Sequence, residues 1–167
     1  MPYPHDLLEQ AKFLADREKG KPKQASLRRA ISAAYYAVFH LLSAEAASQA
    51  SPVTPAGLTL RIQRALEHTT MKEAAKSFES SNLSKSLQPL VTLPLPPTLI
   101  SVARSFSQLQ EERHIADYDL SERLDRAQAQ NAVARANQLF IDWATVRNTD
   151  EAHVFLASLM LHKQLKK

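Results

Sequence analysis

The pattern of apolar and polar positions is most regular between Leu27 and Ser43, which reads LRRAISAAYYAVFHLLS. The stretch has no glycine or proline and holds many good helix formers, so it predicts a buried helix. At about 100° per residue, Arg29, Tyr36 and His40 fall almost on one line along that helix. The neighbouring faces are apolar. The helix therefore carries one polar line through a hydrophobic setting, and that line is the first candidate site.

Apolar residues at helical spacing, separated by Pro, Gly and capping residues, predict five further helices. The six predicted helices cover about residues 5–18, 24–47, 55–79, 98–118, 122–146 and 150–164. Segment 80–97 holds four prolines and predicts an extended surface crossing. The predicted fold is all-α: an antiparallel up-and-down helical bundle of four to five core helices plus a C-terminal helix. It forms a single domain, 1–167, with its core at about 6–144 and the extra helix at 145–167.

Several helix boundaries are predicted from capping chemistry. Thr54 is expected to cap the third helix, and the β-branched pair at 69–70 to interrupt it. Ser121 is expected to cap the fifth helix, and Thr149 or Asp150 the sixth. The inward-facing residues of the third helix are expected to be Leu58, Ile62, Ala65 and Leu66.

Composition excludes several classes of site. Only two of the 167 residues are glycine, which leaves no glycine-rich phosphate loop and no dinucleotide-binding fingerprint. The chain has no cysteine, so disulfides, zinc–thiolate sites and cysteine nucleophiles are excluded. No signal-peptide pattern and no apolar run of bilayer length is visible, so a cytoplasmic location without membrane contact is expected.

Positive charge is concentrated in one part of the chain. The net charge is +4 and the pI is about 9.4. Between positions 17 and 29, one acidic residue, Glu18, accompanies six basic residues: Arg17, Lys19, Lys21, Lys23, Arg28 and Arg29. Such a cluster suits contacts with nucleic-acid phosphates. A solvated basic loop is the alternative interpretation.

A second polar group lies near the end of the fourth predicted helix. Arg113 and Asp117 are four residues apart, as are His114 and Tyr118, so each pair can meet on one helix face. In a functional site, arginine would hold a phosphate, histidine or tyrosine would move a proton, and aspartate would orient them. In the structural alternative, the same groups form a polar seam that fixes helix register.

These two polar groups resemble a known family. The segments Ala34–His40 (AYYAVFH) and Arg113–Tyr118 (RHIADY) are similar to motifs of the HEPN superfamily, especially of its small stand-alone bacterial members. The motifs have that family's order and separation, and the resemblance covers about residues 6–144. It implies a helical bundle, often a homodimer, with the second motif near the dimer interface.

The resemblance also implies a function. Many HEPN proteins are metal-independent ribonucleases, acting as toxins, in phage defence or in RNA processing, and they use an arginine and a histidine a few residues later. Arg113 matches the arginine, and Tyr118 stands where that histidine is expected. In a catalytic form, His114 or His40 would act as acid or base, and Asp117 with Tyr118 would orient them. The expected substrate-binding residues are Arg28, Arg29 and Tyr36.

The expected ligand is therefore RNA or a nucleotide, with no metal and no cofactor. Some members of the family pair with a nucleotidyltransferase-type antitoxin, and such a partner is one expectation here. Other members lack catalytic residues. The alternative function is accordingly a non-catalytic dimeric protein-interaction module, whose seam of Arg, Tyr, His and Asp is structural.

Overall fold

The protein is all-helical over residues 2–51, 55 and 57–167, which are the residues that a computed structural model describes. Their helices are α1 (Pro2–Ala15), α2 (Gln24–Ala50), α3 (Leu58–Ala65), α4 (His68–Glu79), a short 3-10 helix (Gln88–Leu90), α5 (Pro97–Tyr118), α6 (Arg126–Val146) and α7 (Asp150–Leu165). The predicted all-α class is confirmed. None of these described helices is both long enough and apolar enough to span a lipid bilayer.

The chain divides into two compact units. The first combines the chain up to His40 with Ser105–Ile141, and the second combines Leu41–Arg104 with Asp142–Lys167. The boundary falls inside α2, α5 and α6. The single domain 1–167 stays a prediction, and each unit is described by itself.

The core of the first unit is built on α2. Tyr35 has no exposed surface, and its ring packs against Phe106 of α5 at 5.8 Å between centroids. Small side chains of α6, including Ala129, Ala132 and Ala136, are also completely buried. Burial of large apolar side chains stabilises such a unit by about 1.5–3 kcal/mol for each.

The core of the second unit lies between α4 and α7. Phe78 and Phe155 pack edge to face at 5.1 Å, and Trp143 lies 6.4 Å from Phe155. Segment 80–97, predicted to be an extended surface crossing, is only partly that. It contains the 3-10 helix, and it buries Leu83, Leu87 and Leu95.

The third predicted helix is two helices in the structure. It breaks at Leu66 and Glu67, whose backbones are extended, rather than at the threonine pair. No residue of α3 is buried, so Leu58, Ile62, Ala65 and Leu66 do not form the predicted inward face. The buried residues lie on α4 instead and are Thr70, Met71, Ala74, Ala75 and Phe78. The predicted cap Thr54 lies outside the described residues.

The first helix begins and ends three residues earlier than predicted. The chain leaves the helix after Ala15, and Glu18, predicted to be its last residue, makes other contacts. The Glu18 carboxylate accepts from the Ser26 hydroxyl at 2.7 Å, which holds the pKa of that carboxyl below its usual value. The carbonyls of Glu18 and Gly20 accept from the Arg126 guanidinium, both at 2.6 Å.

Of the other two predicted helix caps, one is confirmed and one is wrong. Thr149 caps α7, because its hydroxyl accepts from the Ala152 N–H at 3.2 Å. Ser121 does not cap α6, which begins four residues later than predicted. The cap is Asp125: its carboxylate accepts from the Gln128 N–H, and the Gln128 amide oxygen accepts from the Asp125 N–H, both at 2.8 Å. This reciprocal pair is a capping box.

Candidate functional site

A groove of about 610 Å³ runs between α1 and α2 in the first unit. On α1, positions 3, 7, 10 and 14 line it, and on α2 positions 25, 29, 32, 36 and 40. Steps of three and four residues keep side chains on one face of a helix. The polar line predicted from the sequence is therefore one wall of this groove, and the other wall comes from α1.

The two ends of the groove differ in chemistry. Arg17, just beyond α1, and Arg29 line its basic end. Tyr3, Tyr36 and His40 line its aromatic end. The rings of Tyr3 and His40 meet edge to face at 5.1 Å, and those of Tyr36 and His40 lie 6.3 Å apart. We refer to these as the basic end and the aromatic end of the groove.

The electrostatics of the groove favour an anion at the basic end. Arg29 is exposed and makes no hydrogen bond or ion pair with a described residue. Among the described residues that line the groove, none carries a carboxylate. At the other end, burial lowers the pKa of His40, so its imidazole is neutral at pH 7. A neutral imidazole can both donate and accept a hydrogen bond.

The second polar group forms a cluster around Arg113, which we call the Arg113 cluster. The residue is only 8% exposed. Its guanidinium carbon lies 5.1 Å from the ring centre of Tyr35 and 5.9 Å from those of Tyr36 and Tyr118. Such cation–π contacts strengthen when they are shielded from water. Asp117 supplies the counter-charge, with 3.7 Å between its Oδ2 and Arg113 Nη1.

Two further contacts complete the Arg113 cluster. The Ser32 hydroxyl donates to Asp117 Oδ2 at 3.3 Å and so joins α2 to α5. Burial raises the pKa of Tyr35 well above its ordinary value, although the neighbouring Arg113 opposes that shift. Arg113 Nε is buried, and it finds no hydrogen-bond partner among the described residues. Arg113 is thus shielded from water at the centre of the cluster, whereas Tyr118 on its outer side is exposed, and one Arg113 donor remains unsatisfied.

Most of the residues predicted for a single site lie in two separate groups in the structure. Arg29, Tyr36 and His40 line the groove, whereas Arg113, Asp117 and Tyr118 belong to the Arg113 cluster. Tyr36 contacts both, since its ring lies within cation–π distance of Arg113 and also near His40. His114 is exposed, and its ring packs on Tyr118 at 5.1 Å.

Arg28, predicted to bind substrate, is occupied by the protein backbone. Its guanidinium donates to the Ala116 and Asp119 carbonyls at 2.9 Å each. It also donates to the carbonyls of Ile115 and Glu122. Ile115 and Ala116 lie in the last turn of α5, where helix carbonyls run out of partners, and Asp119 and Glu122 lie in the loop after it. Arg28 therefore closes that helix end.

Sequence reasoning missed the α1 wall of the groove. Tyr3 lay outside the predicted first helix, and Arg17 was counted only as part of a basic cluster. The spacing of positions 3, 7, 10, 14 and 17 was the signal that could have found this face. It was obscured because Leu8, Ala11 and Ala15, which are buried, form a second face on the same short helix.

Comparisons of the chain with protein-family models, with curated proteins and with solved structures found no match. Among the residues that the structure describes, no three histidine or carboxylate side chains are grouped so that they could hold a metal ion.

Proposed function

We propose that this protein is HEPN-like and binds RNA or a nucleotide in the groove between α1 and α2. One observation carries the proposal: the groove has two arginines at one end and three aromatic rings at the other. Nucleotides have the matching pair of properties, an anionic phosphate and a flat base.

The groove suits these ligands on physical grounds. Guanidinium groups stay charged and present paired donors to phosphate oxygens. Aromatic rings stack on bases, and this contact tolerates any base because every base has a π-face. Between the two ends, Leu7 and Ala33 provide an apolar wall, which Leu14 continues to the basic end. A carboxylate there would repel phosphate, and the described lining residues include none. The carboxylate of Glu18, beside the basic end, is held by the Ser26 hydroxyl and partly offsets the charge of Arg17.

Metal-independent RNA cleavage is the catalytic form of this proposal. It would need the Arg113 guanidinium beside the scissile phosphate and a histidine within hydrogen-bond reach. Arg113 is covered by tyrosine rings, so it could reach RNA only after Tyr36 or Tyr118 moves. His40 and His114 contact those tyrosines. This arrangement supports binding more strongly than cleavage.

A second candidate function is a non-catalytic homodimer or protein-interaction module. It is favoured by exposed apolar side chains at the end of α5. Tyr118 is 67% exposed and Leu120 is 83% exposed, and Ile115 is exposed beside them. In this interpretation the Arg113 cluster is structural, and a second copy or an antitoxin-type partner covers these side chains.

The test is RNA affinity in two charge-matched double variants. Arg17→Gln/Arg29→Gln removes both cations of the basic end, whereas Arg61→Gln/Arg64→Gln removes two exposed cations from α3. We expect the first to weaken binding of fluorescent total tRNA by about tenfold or more at moderate salt, and the second to change it by less than about twofold. Equal losses would contradict the groove as the site.

A cleavage assay on the same RNA, with and without EDTA, distinguishes the catalytic form. Cutting that survives EDTA and is lost in Arg113→Ala would support a metal-independent ribonuclease. If the folded protein neither binds nor cuts RNA, the interaction module becomes the better function, and analytical ultracentrifugation then tests the dimer.

A further inference from the structure

The groove between α1 and α2 is long for one nucleotide. Arg29 and His40 are eleven positions apart on α2, which corresponds to about 16 Å along the helix axis. Tyr3 and Leu14 mark the same interval on α1. The two helices are antiparallel there, because Tyr3 near the start of α1 meets His40 well along α2, whereas Glu18, just after α1, meets Ser26 near the start of α2. The basic and aromatic ends are therefore separated by this whole interval.

We propose that the ligand of this groove is a single-stranded oligonucleotide, which places a phosphate at Arg17 and Arg29 and an unpaired base at Tyr3 and His40. This inference rests on the proposed function and narrows it, because it excludes a mononucleotide as the natural ligand. The strand lies along the groove and crosses the apolar wall between the two ends.

Length is the first argument. Nucleotides in a stacked strand rise by about 3.4 Å each, so about five fit within 16 Å, and an extended strand needs fewer. A mononucleotide placed at the basic end would leave the aromatic end empty. Placed at the aromatic end, it would leave Arg29 without an anion. Only a chain of several nucleotides uses both ends.

The shape of the groove is the second argument. The groove has a volume of about 610 Å³, which is small compared with the volume of a duplex of the same length, so a single strand fits it better. Stacking on a side chain also requires a base that is free of its partner strand. Tyr3 is 53% exposed, so a base can reach part of its ring.

The chemistry of the aromatic end is the third argument. The neutral His40 imidazole can hydrogen-bond to the edge of a base while Tyr3 contacts its face. Tyr36 forms the side of this end nearest the Arg113 cluster. Gln10, exposed in the middle of the groove, offers an amide to a sugar or a phosphate on the way.

The experiment is a length series with the full chain. Uridine 5′-monophosphate and 5′-phosphorylated oligouridylates of two, three, five and ten nucleotides are titrated by calorimetry or fluorescence. We expect affinity to rise by about a hundredfold from one to five nucleotides and to change by less than about threefold from five to ten. A self-complementary hairpin of equal length, with the same phosphate, should bind at least about tenfold more weakly than the pentamer.

Two variants locate the base end. Tyr3→Ala should weaken the pentamer by about tenfold, in the range measured for loss of a base–aromatic stack. Phe13→Ala is the matched control, since Phe13 is 65% exposed on the same helix but does not line the groove. It should leave affinity unchanged. Equal effects of the two substitutions would overturn the assignment of the aromatic end.

The outcomes distinguish failure of the oligonucleotide inference from failure of the proposed function. If the mononucleotide binds as tightly as the pentamer, the oligonucleotide inference is overturned while nucleotide binding stands. Tighter binding of the hairpin than of the pentamer would also overturn it. If no nucleotide or oligonucleotide binds to the folded protein, the proposed function itself fails.

Discussion

At the scale of single residues, neighbours in the sequence have different tasks. Arg28 and Arg29 are adjacent and chemically identical, yet Arg28 closes the end of α5 and Arg29 lines the groove. A step of one residue turns the side chain by about 100° around the helix axis. The sequence predicts that turn, but it does not predict where the α5 carbonyls lie. Both arginines were therefore assigned to substrate binding.

Substitutions of Arg113 and Arg29 should have different effects: the first should lower the stability of the fold, and the second should weaken RNA binding. Arg113→Met leaves the half-buried Asp117 without its counter-charge and the tyrosine rings without their cation, so we expect the free energy of unfolding to fall by about 1–3 kcal/mol. Arg29→Ala removes an exposed side chain and should cost less than about 0.5 kcal/mol.

Urea unfolding followed by circular dichroism measures both values at pH 7.5. If Arg113→Met unfolds at the same urea concentration as the unsubstituted protein, the Arg113 cluster does not stabilise the first unit. The groove assignment requires the reverse order in RNA affinity, with Arg29 the more sensitive position.

At the scale of elements, local chemistry predicted some boundaries and misplaced others. The bounds predicted for α5 and α7 are correct to within one residue, because each has a long apolar period and a clear stop or cap. Helix α2 begins where predicted but ends three residues later, at Ala50. The break after α3 was misplaced because Thr69-Thr70 was treated as helix interior. The pair lies in the first turn of α4, where the Thr70 hydroxyl donates to the Glu67 carboxylate at 3.3 Å.

The start of α6 offers a direct test of capping. Asp125→Ala removes the carboxylate that accepts from the Gln128 N–H, and we expect a loss of about 1 kcal/mol. Ser121→Ala removes only a hydroxyl that donates to Asp119, and it should cost less than about 0.5 kcal/mol.

Thermal unfolding of the two alanine variants, with Gln128→Ala as a third, measures the difference. Gln128→Ala should weaken the same helix start, because its side chain accepts from the Asp125 N–H. A larger effect of Ser121→Ala than of Asp125→Ala would restore the boundary predicted from sequence. The Asp-x-x-Gln spacing is visible in the sequence, and a capping box at this position can be predicted from it.

At the scale of the whole molecule, acid should destabilise both units through histidine. Burial lowers the pKa of His40 in the first unit and of His162 in the second. In the unfolded chain a histidine binds its proton near pH 6.5, above the pKa of the buried form. Below that pH the unfolded state holds more protons, so the free energy of unfolding falls as the pH is lowered.

Urea titrations at pH 8.5, 7.5, 6.5 and 5.5 measure this dependence. We expect little change between pH 8.5 and 7.5, followed by a progressive loss towards pH 5.5. His40→Gln and His162→Gln should each reduce the slope between pH 7.5 and 5.5. An unchanged slope in both variants would show that other groups control acid stability.

The sequence predicted the fold class and half of the candidate site. The helical period and the scarcity of glycine were enough for an all-α protein, and the line Arg29–Tyr36–His40 was visible on α2. The other half of the site could not be predicted, because it depends on tertiary packing. Which helix faces that line, and whether Arg113 lies open or covered by Tyr35, depends on contacts between residues far apart in the chain.

The sequence of helix α2 tolerates few substitutions between Ser26 and His40. From Ser26 to His40 every side chain is buried or half-buried except that of Arg29, which lines the groove. One set of positions is constrained by the core and the other by the ligand, so few substitutions there are neutral. Over evolutionary time, sequence drift should be confined largely to exposed positions, such as those of the loop after α4 other than its buried leucines. We expect distant relatives of this protein to share the α2 segment long after the rest of their sequences has diverged.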